Sequence, residues 1–316
     1  MADPLPPLTA ATAVRVWQFA PLASATLLVL AAAYLTGVRR VAAQHPQRPW
    51  PGGRTLAFLA GLGVIAVATQ SSLGAYDDVL FSAHMMQHLL LIMVAPPLLV
   101  LGRPVTLLLH AAGNPVHTWV KRAVRSPVVT ALTWPPVAIA VYCAVVASTH
   151  LTPLMDLVLR NSVAHDAEHA LYLIAGYLFF LPVVGSEPIR WRLSLPARFL
   201  MLLIVMPVDT VVGVILMIAP GELFPPYLHT GRAWGPSPLA DLHAGGILMW
   251  AGSDLVMTVL AAGLAVLLVH GTGRARPARA GDAGDDDARL AAYNTRLAAL
   301  GDAARPPLAR PPSGAG

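Results

Sequence analysis

Runs of about 20 apolar residues, each enough helix to cross roughly 30 Å of hydrocarbon, recur seven times in this chain. They fall near 17–37, 55–72, 79–101, 128–149, 162–183, 199–219 and 243–270. A soluble core has no room for so many, and the 12% of charged residues is about half the usual soluble share of roughly 25%. The runs are continuous rather than alternating over ten residues, which makes them helices and not barrel strands. The expected fold is therefore all-α: a polytopic membrane protein with a bundle of seven transmembrane helices. No internal repeat or second folded domain is visible.

The positive charges set an expected topology. Loops 38–54, 102–127 and 184–198 and the tail 271–316 carry eighteen of the 21 Lys and Arg residues, leaving Arg15, Arg160 and Arg232 for the opposite side. The positive-inside rule then puts the N-terminus outside and the C-terminus in the cytoplasm. Three regions follow: an extracytoplasmic segment 1–16, a seven-helix domain 17–270, and a cytoplasmic tail 271–316. Met1–Val16 has one basic residue and no A-x-A-like cleavage site, so the first span reads as retained rather than as a signal peptide. The tail, rich in Ala, Arg, Pro, Gly and Asp, reads as disordered with a short helix near Asp287–Leu300.

Two histidine pairs share one spacing: His84-Met85-Met86-Gln87-His88 and His165-Asp166-Ala167-Glu168-His169. Residues at i and i+4 lie on one helical face with Cβ atoms roughly 5–6 Å apart, so each pair presents two imidazoles together. On the expected topology both pairs lie in the outer halves of their spans, with His150, His229 and His243 nearby. Four of the eleven histidines, His45, His110, His117 and His270, fall on the cytoplasmic side. Isolated intramembrane histidines often only hydrogen-bond a neighbouring helix, but two pairs at similar depth point to a shared metal or haem site.

Cys143 is the single cysteine, which rules out an intrachain disulfide and a four-thiolate zinc site. Met85, Met86, Met155 and Met249 lie in the same outer region, and thioether with imidazole suits copper, particularly Cu(I). Imidazole and carboxylate alone would serve zinc or iron. Asp77 and Asp78 precede span 3 and Asp241 precedes span 7, where carboxylates cap helix N-termini. Asp241-Leu242-His243 also places an acid and an imidazole at one helix end, as a ligand or its supporting partner would be. Asp209 is the deepest acid, a neutral hydrogen-bonded carboxyl or a proton or ion site. Pro96 and Pro97 should kink span 3 below its histidines.

Rival chemistries remain at this point. His165–His169 matches the H-x-x-E-H pattern of an intramembrane zinc peptidase with Glu168 as base, and facing histidines suit a bis-histidine b-type haem protein. Retinal is excluded because the only lysine, Lys121, is in a loop. No Walker loop, serine-protease elbow or CxxC pair is present. The net charge of +5 comes without a basic stripe interleaved with aromatics, so no nucleic-acid partner is expected.

The stretch from His84 to Leu91, followed by Ala95-Pro96-Pro97-Leu98-Leu99-Val100-Leu101-Gly102-Arg103-Pro104, resembles the CtaG-type cytochrome c oxidase assembly proteins of bacteria, the polytopic proteins associated with caa-type oxidases. The likeness continues through His165–His169 with Gly176 downstream and through Asp241–Trp250, covering spans 2 to 7. It implies a non-enzymatic assembly factor in the bacterial plasma membrane. Its role would be to bind copper transiently, as Cu(I), and deliver or insert it into a haem-copper oxidase. Oxidase subunits, an extracytoplasmic copper chaperone and the lipid bilayer are the implied partners. The implied metal positions are His84, His88, His165, His169 and Asp241, with His243 as an added ligand.

Overall fold

Hydrocarbon offers no water to a broken backbone hydrogen bond, so a spanning segment must satisfy its own. The computed structural model describes residues 5–274, with side chains to Val266, and no strand occurs among them. Six helices are long and apolar enough to cross a membrane, and a seventh span results if one bent pair is counted as a unit.

The chain enters through α1 (Ala10–Arg15), started by a capping box between Thr9 and Thr12. It then forms α2 (Pro21–Gln44), which buries only Tyr34 and Val41 and lies at the edge of the bundle. The Tyr34 hydroxyl donates to the Gly102 carbonyl at 2.7 Å, and its ring stacks on Phe58 at 4.0 Å. Next come α3 (Gly52–Gln70) and α4 (Ser72–Tyr76), where Ser71 accepts from the Leu73 amide and restarts the helix.

The third span is three pieces in one line. α5 (Phe81–Leu89) runs into a π-helical turn, Leu90–Val94, and continues as α6 (Ala95–Leu101). Pro96 and Pro97 lack the amides that would bond the carbonyls of Ile92 and Met93, and the wider turn ahead of them absorbs the mismatch. The expected kink is thus a π-turn. Gly176 of the fifth span packs directly against the Ile92 carbonyl, where a Cβ would collide with it. The absence of a side chain at this position lets the two helices touch. After Arg103, at φ 52°, α7 (Pro104–Ala111) begins. Its first amides, Val105 and Thr106, each donate to the Glu187 carboxylate at 3.0 Å. Burial raises the Glu187 pKa, and the hydrogen bonds from Thr106 and Val105 oppose that rise.

The fourth span departs from the expected 128–149. After α8 (Val116–Val124), α9 (Pro127–Leu132) stops before Trp134-Pro135-Pro136, and α10 is a separate 17-residue helix, Pro135–Leu151. At its end Thr152, the residue before Pro153, is extended at φ −130°, ψ 167°, as a following proline demands. The chain therefore turns by 74° into α11 (Leu154–Arg160). Asn161 accepts from the Val163 and Ala164 amides and starts α12 (Ser162–Val184), and α13 (Leu195–Met217) follows. The last span begins earlier than 243, as α14 (Pro238–Ile247). It passes through a second π-turn, Leu248–Gly252, and continues as α15 (Ser253–Arg274). Gly213 of α13 and Gly246 of α14 cross with backbones in contact: a Cβ on Gly246 would lie 2.7 Å from the Gly213 carbonyl oxygen. The expected tail helix near 287–300 lies outside the described residues.

Candidate metal centre

The paired histidines of α5 and α12 face one another because both helices bury the stripe that carries them. The His84 and His165 rings stack at 5.2 Å between centroids, with His84–His88 at 4.2 Å and His165–His169 at 4.4 Å within the pairs. Four imidazoles thus meet in one contiguous group. Gln87, between the α5 histidines, donates to the Ala68 carbonyl at 2.9 Å and fixes α5 against α3. His88 stacks on Tyr172 at 3.9 Å.

Two carboxylates complete the arrangement, and neither pairs as its sequence neighbours suggest. Glu168 lies on α12 between its own two histidines, yet its Oε2 is 3.4 Å from His84 Nε2 and 3.3 Å from His88 Nε2. Asp77 sits at the C-cap of α4 and does not cap α5, whose own N-cap residue, Leu80, offers no side-chain cap. The buried Oδ2 of Asp77 is 3.7 Å from His165 Nε2, and the Tyr227 hydroxyl donates to the Asp77 carbonyl at 2.8 Å. Burial pushes the Asp77 carboxyl up to about 7 against the opposing pull of His84. Two triads result, His84–His88–Glu168 and Asp77–His165–His169, each with ligand atoms within 4.8 Å of one another.

Orphaned polar atoms test whether these residues suit a metal. Both ring nitrogens of His84 and His88, both oxygens of Glu168, and Nε2 of His165 and His169 are buried, and beyond the long contacts of 3.3–3.7 Å within the two triads they form no hydrogen bond. Such atoms cost on the order of 1–3 kcal/mol each when left unmet, and native interiors rarely tolerate a cluster of them. A cation held between imidazole nitrogens and a carboxylate oxygen would satisfy several at once. Two imidazoles and one carboxylate leave at least one coordination position open, as in sites where a ligand must exchange.

Asp241 and His243 do not join this group. Asp241 is buried, and its carboxylate accepts from the Phe81 amide at 2.7 Å and the Ser82 hydroxyl at 2.6 Å, with Arg232 at 3.9 Å. It caps α5 rather than its own helix, because the tight α14–α5 packing at Gly245 brings it over an N-terminus that lacks a capping residue. His243 lies 2.9 Å from the Ala219 carbonyl through Nε2, a tether to the end of α13. The histidine cluster is chiefly a contact of α5, α12 and the segment around Asp77. Glu168 was visible in the sequence only as a peptidase base. Asp77 was masked by its capping position.

Helices of this length and apolarity, closing on buried imidazoles and carboxylates, define a multi-pass membrane protein with a candidate metal centre. The description "cytochrome c oxidase caa3 assembly factor" matches residues 32–270, and the chain belongs to that family. Uncharacterised proteins of Mycobacterium bovis and Mycobacterium tuberculosis are each 33% identical over 309 residues, covering 94% of this chain and 46% of the relative. One of Mycobacterium leprae is 31% identical over 295 residues, covering 90% and 44%. The chain therefore spans about half the length of the curated relatives it matches. No solved structure matches it.

Proposed function

We propose that the protein binds copper as cargo at the facing histidine pairs and passes it to a subunit of a haem-copper oxidase during assembly, without catalytic turnover. Family membership supports the oxidase-assembly role. The observation that carries the copper reading is the convergence of His84, His88 and Glu168, three buried side chains whose ligand atoms meet only one another, at 3.3–3.4 Å. Copper(II) heads the affinity order for nitrogen and oxygen donors, so this triad favours it over zinc or iron at equal supply. An extracytoplasmic chaperone is the proposed donor, and the bacterial plasma membrane the proposed location, with the histidine-bearing end of the bundle outward.

Two rivals lose ground on geometry. In an H-x-x-E-H peptidase, Glu168 acts beside a metal held by His165 and His169, whereas here its carboxylate lies against the other pair. The cavity beside His88 and His150 is about 20 Å³, room for one water-sized body and not for a haem macrocycle.

The test is Cu(II) binding by the purified, detergent-solubilised protein and its Glu168→Gln variant. Wild type should bind Cu(II) and gain thermal stability in proportion to it, about 2.7 kcal/mol when free Cu(II) is a hundred times Kd. Glu168→Gln should stay folded, bind at least about tenfold more weakly and lose most of that shift. Equal Cu(II) content in the two proteins sinks the reading, and a Soret band in the purified protein would favour a cytochrome.

A further inference from the structure

Next to the histidine–glutamate triad is a second group of donor atoms with different chemistry. His150, near the end of α10, is buried, and its Nδ1 lies 2.9 Å from the Val146 carbonyl oxygen one turn back. A carbonyl can only accept, so Nδ1 carries the proton; the Thr149 hydroxyl, 3.0 Å from Nδ1, gives its own proton to the Val145 carbonyl, and the Tyr172 hydroxyl lies farther off at 3.4 Å. The Nε2 of the neutral ring is left with its lone pair, and the atom it faces is Met85 Sδ at 3.2 Å. A thioether has no proton to give. Two lone-pair donors in contact with no proton between them suit each other only when a cation bridges them. First-row metal bonds of roughly 2.0–2.1 Å to imidazole nitrogen and 2.3 Å to sulfur reach both atoms at this separation.

The surroundings fit an ion in transit. Met85 and His150 line the cavity of about 20 Å³ together with Met93, Met249 and His88. Two more thioethers and an imidazole of the first triad therefore border the same small space. The His88 and His150 rings lie 5.5 Å apart. On its other side His150 lines a cleft of about 460 Å³ whose wall includes Asp156, a carboxylate with an unpartnered buried Oδ1. One imidazole thus borders both the cleft and the buried cavity that leads to His88.

We propose that His150 Nε2 and Met85 Sδ form a second metal site, selective for a soft monovalent ion such as Cu(I) or Ag(I), through which an ion entering by the cleft reaches His88. Thioether and imidazole donors prefer Cu(I), whereas the triad of imidazoles and carboxylate suits a harder divalent ion. The ion stays Cu(I) on this path, passing from sulfur and imidazole to the imidazoles of the triad with no redox step, since imidazole also holds copper. Only the role of way-station rests on the copper-delivery reading; the His150–Met85 site stands or falls by itself.

The experiment uses the full-length protein in detergent, titrated with Cu(I) buffered by a chromophoric chelator and separately with Zn(II), with X-ray absorption at the copper edge. Wild type should show a sulfur scatterer in the Cu(I) shell. Met85→Leu, a near volume-conserving change, and His150→Gln should lose that scatterer or weaken Cu(I) binding at least tenfold while Zn(II) binding persists. Glu168→Gln should do the reverse, keeping Cu(I)–sulfur and losing Zn(II). A wild-type shell without sulfur, or a sulfur shell and Cu(I) affinity that survive in Met85→Leu, overturns the proposal. Unchanged Zn(II) binding in Glu168→Gln instead counts against the triad and leaves the His150–Met85 site standing. Size-exclusion elution and circular dichroism matching wild type establish that each variant is folded.

Discussion

Asp241 and His243 stand two residues apart in one motif and do different work. The Asp241 carboxylate satisfies the first free amide of α5 and the Ser82 hydroxyl from another helix, three residues ahead of His84. Shortening it strips a charge-assisted acceptor from a buried N-terminus, a loss of about 1–3 kcal/mol, and frees the start of the helix that aims the first pair. His243 gives up one hydrogen bond to a carbonyl, worth about 1 kcal/mol. Asp241→Ala should therefore lower thermal stability more than His243→Ala and also weaken metal binding. His243→Ala should bind metal as wild type does. Melting curves with and without copper read both effects, and a loss of copper in His243→Ala alone would reinstate it as a ligand.

Among the helices, the contact that brings the pairs together is the crossing of α12 over the π-turn of the third span. The prolines at 96 and 97 leave the Ile92 carbonyl without its helical donor, and Gly176 lets α12 lie directly on that carbonyl. A methyl group there must push the helices apart or clash. Gly176→Ala should destabilise the protein by about 1–3 kcal/mol, the usual cost of overpacking, although alanine is the better helix former. It should also weaken metal binding, because Glu168 lies two turns along α12 from the displaced contact. The control is Gly263→Ala on α15, where a Cβ meets nothing within 4 Å, so stability and metal binding should hold. If Gly176→Ala matched that control, α12 would not be seated as described. The existence and location of these spans were legible from apolar run length, and the break of the fourth span was signalled by Trp134-Pro135-Pro136 and Pro153. The π-turns were not legible, because the second, Leu248–Gly252, contains no proline and follows from packing against α13.

At the scale of the whole molecule, the expected orientation rests on the distribution of arginines and lysine along the sequence, eighteen in segments expected on one side and three on the other. Single cysteines test it in a Cys143→Ser background. Gly113, exposed between α7 and α8, and Ala233, exposed between α13 and α14, sit on opposite expected sides. Ala233→Cys should react with an impermeant maleimide in intact cells, and Gly113→Cys only after the membrane is opened. The opposite pattern would place the histidine cluster at the cytoplasmic end and redirect the delivery reading. By itself the sequence determined the helical spans and the pairing of histidines within each helix, since both follow from local periodicity: run length in one case, i and i+4 spacing in the other. Only the tertiary structure decided that Glu168 leaves its own histidines for His84 and His88, that Asp77 takes its place, that Asp241 caps another helix, and that His150 meets Met85. Each of those partnerships joins residues on segments far apart in the chain, and which atoms meet is settled by how closely glycine and proline allow those helices to pack.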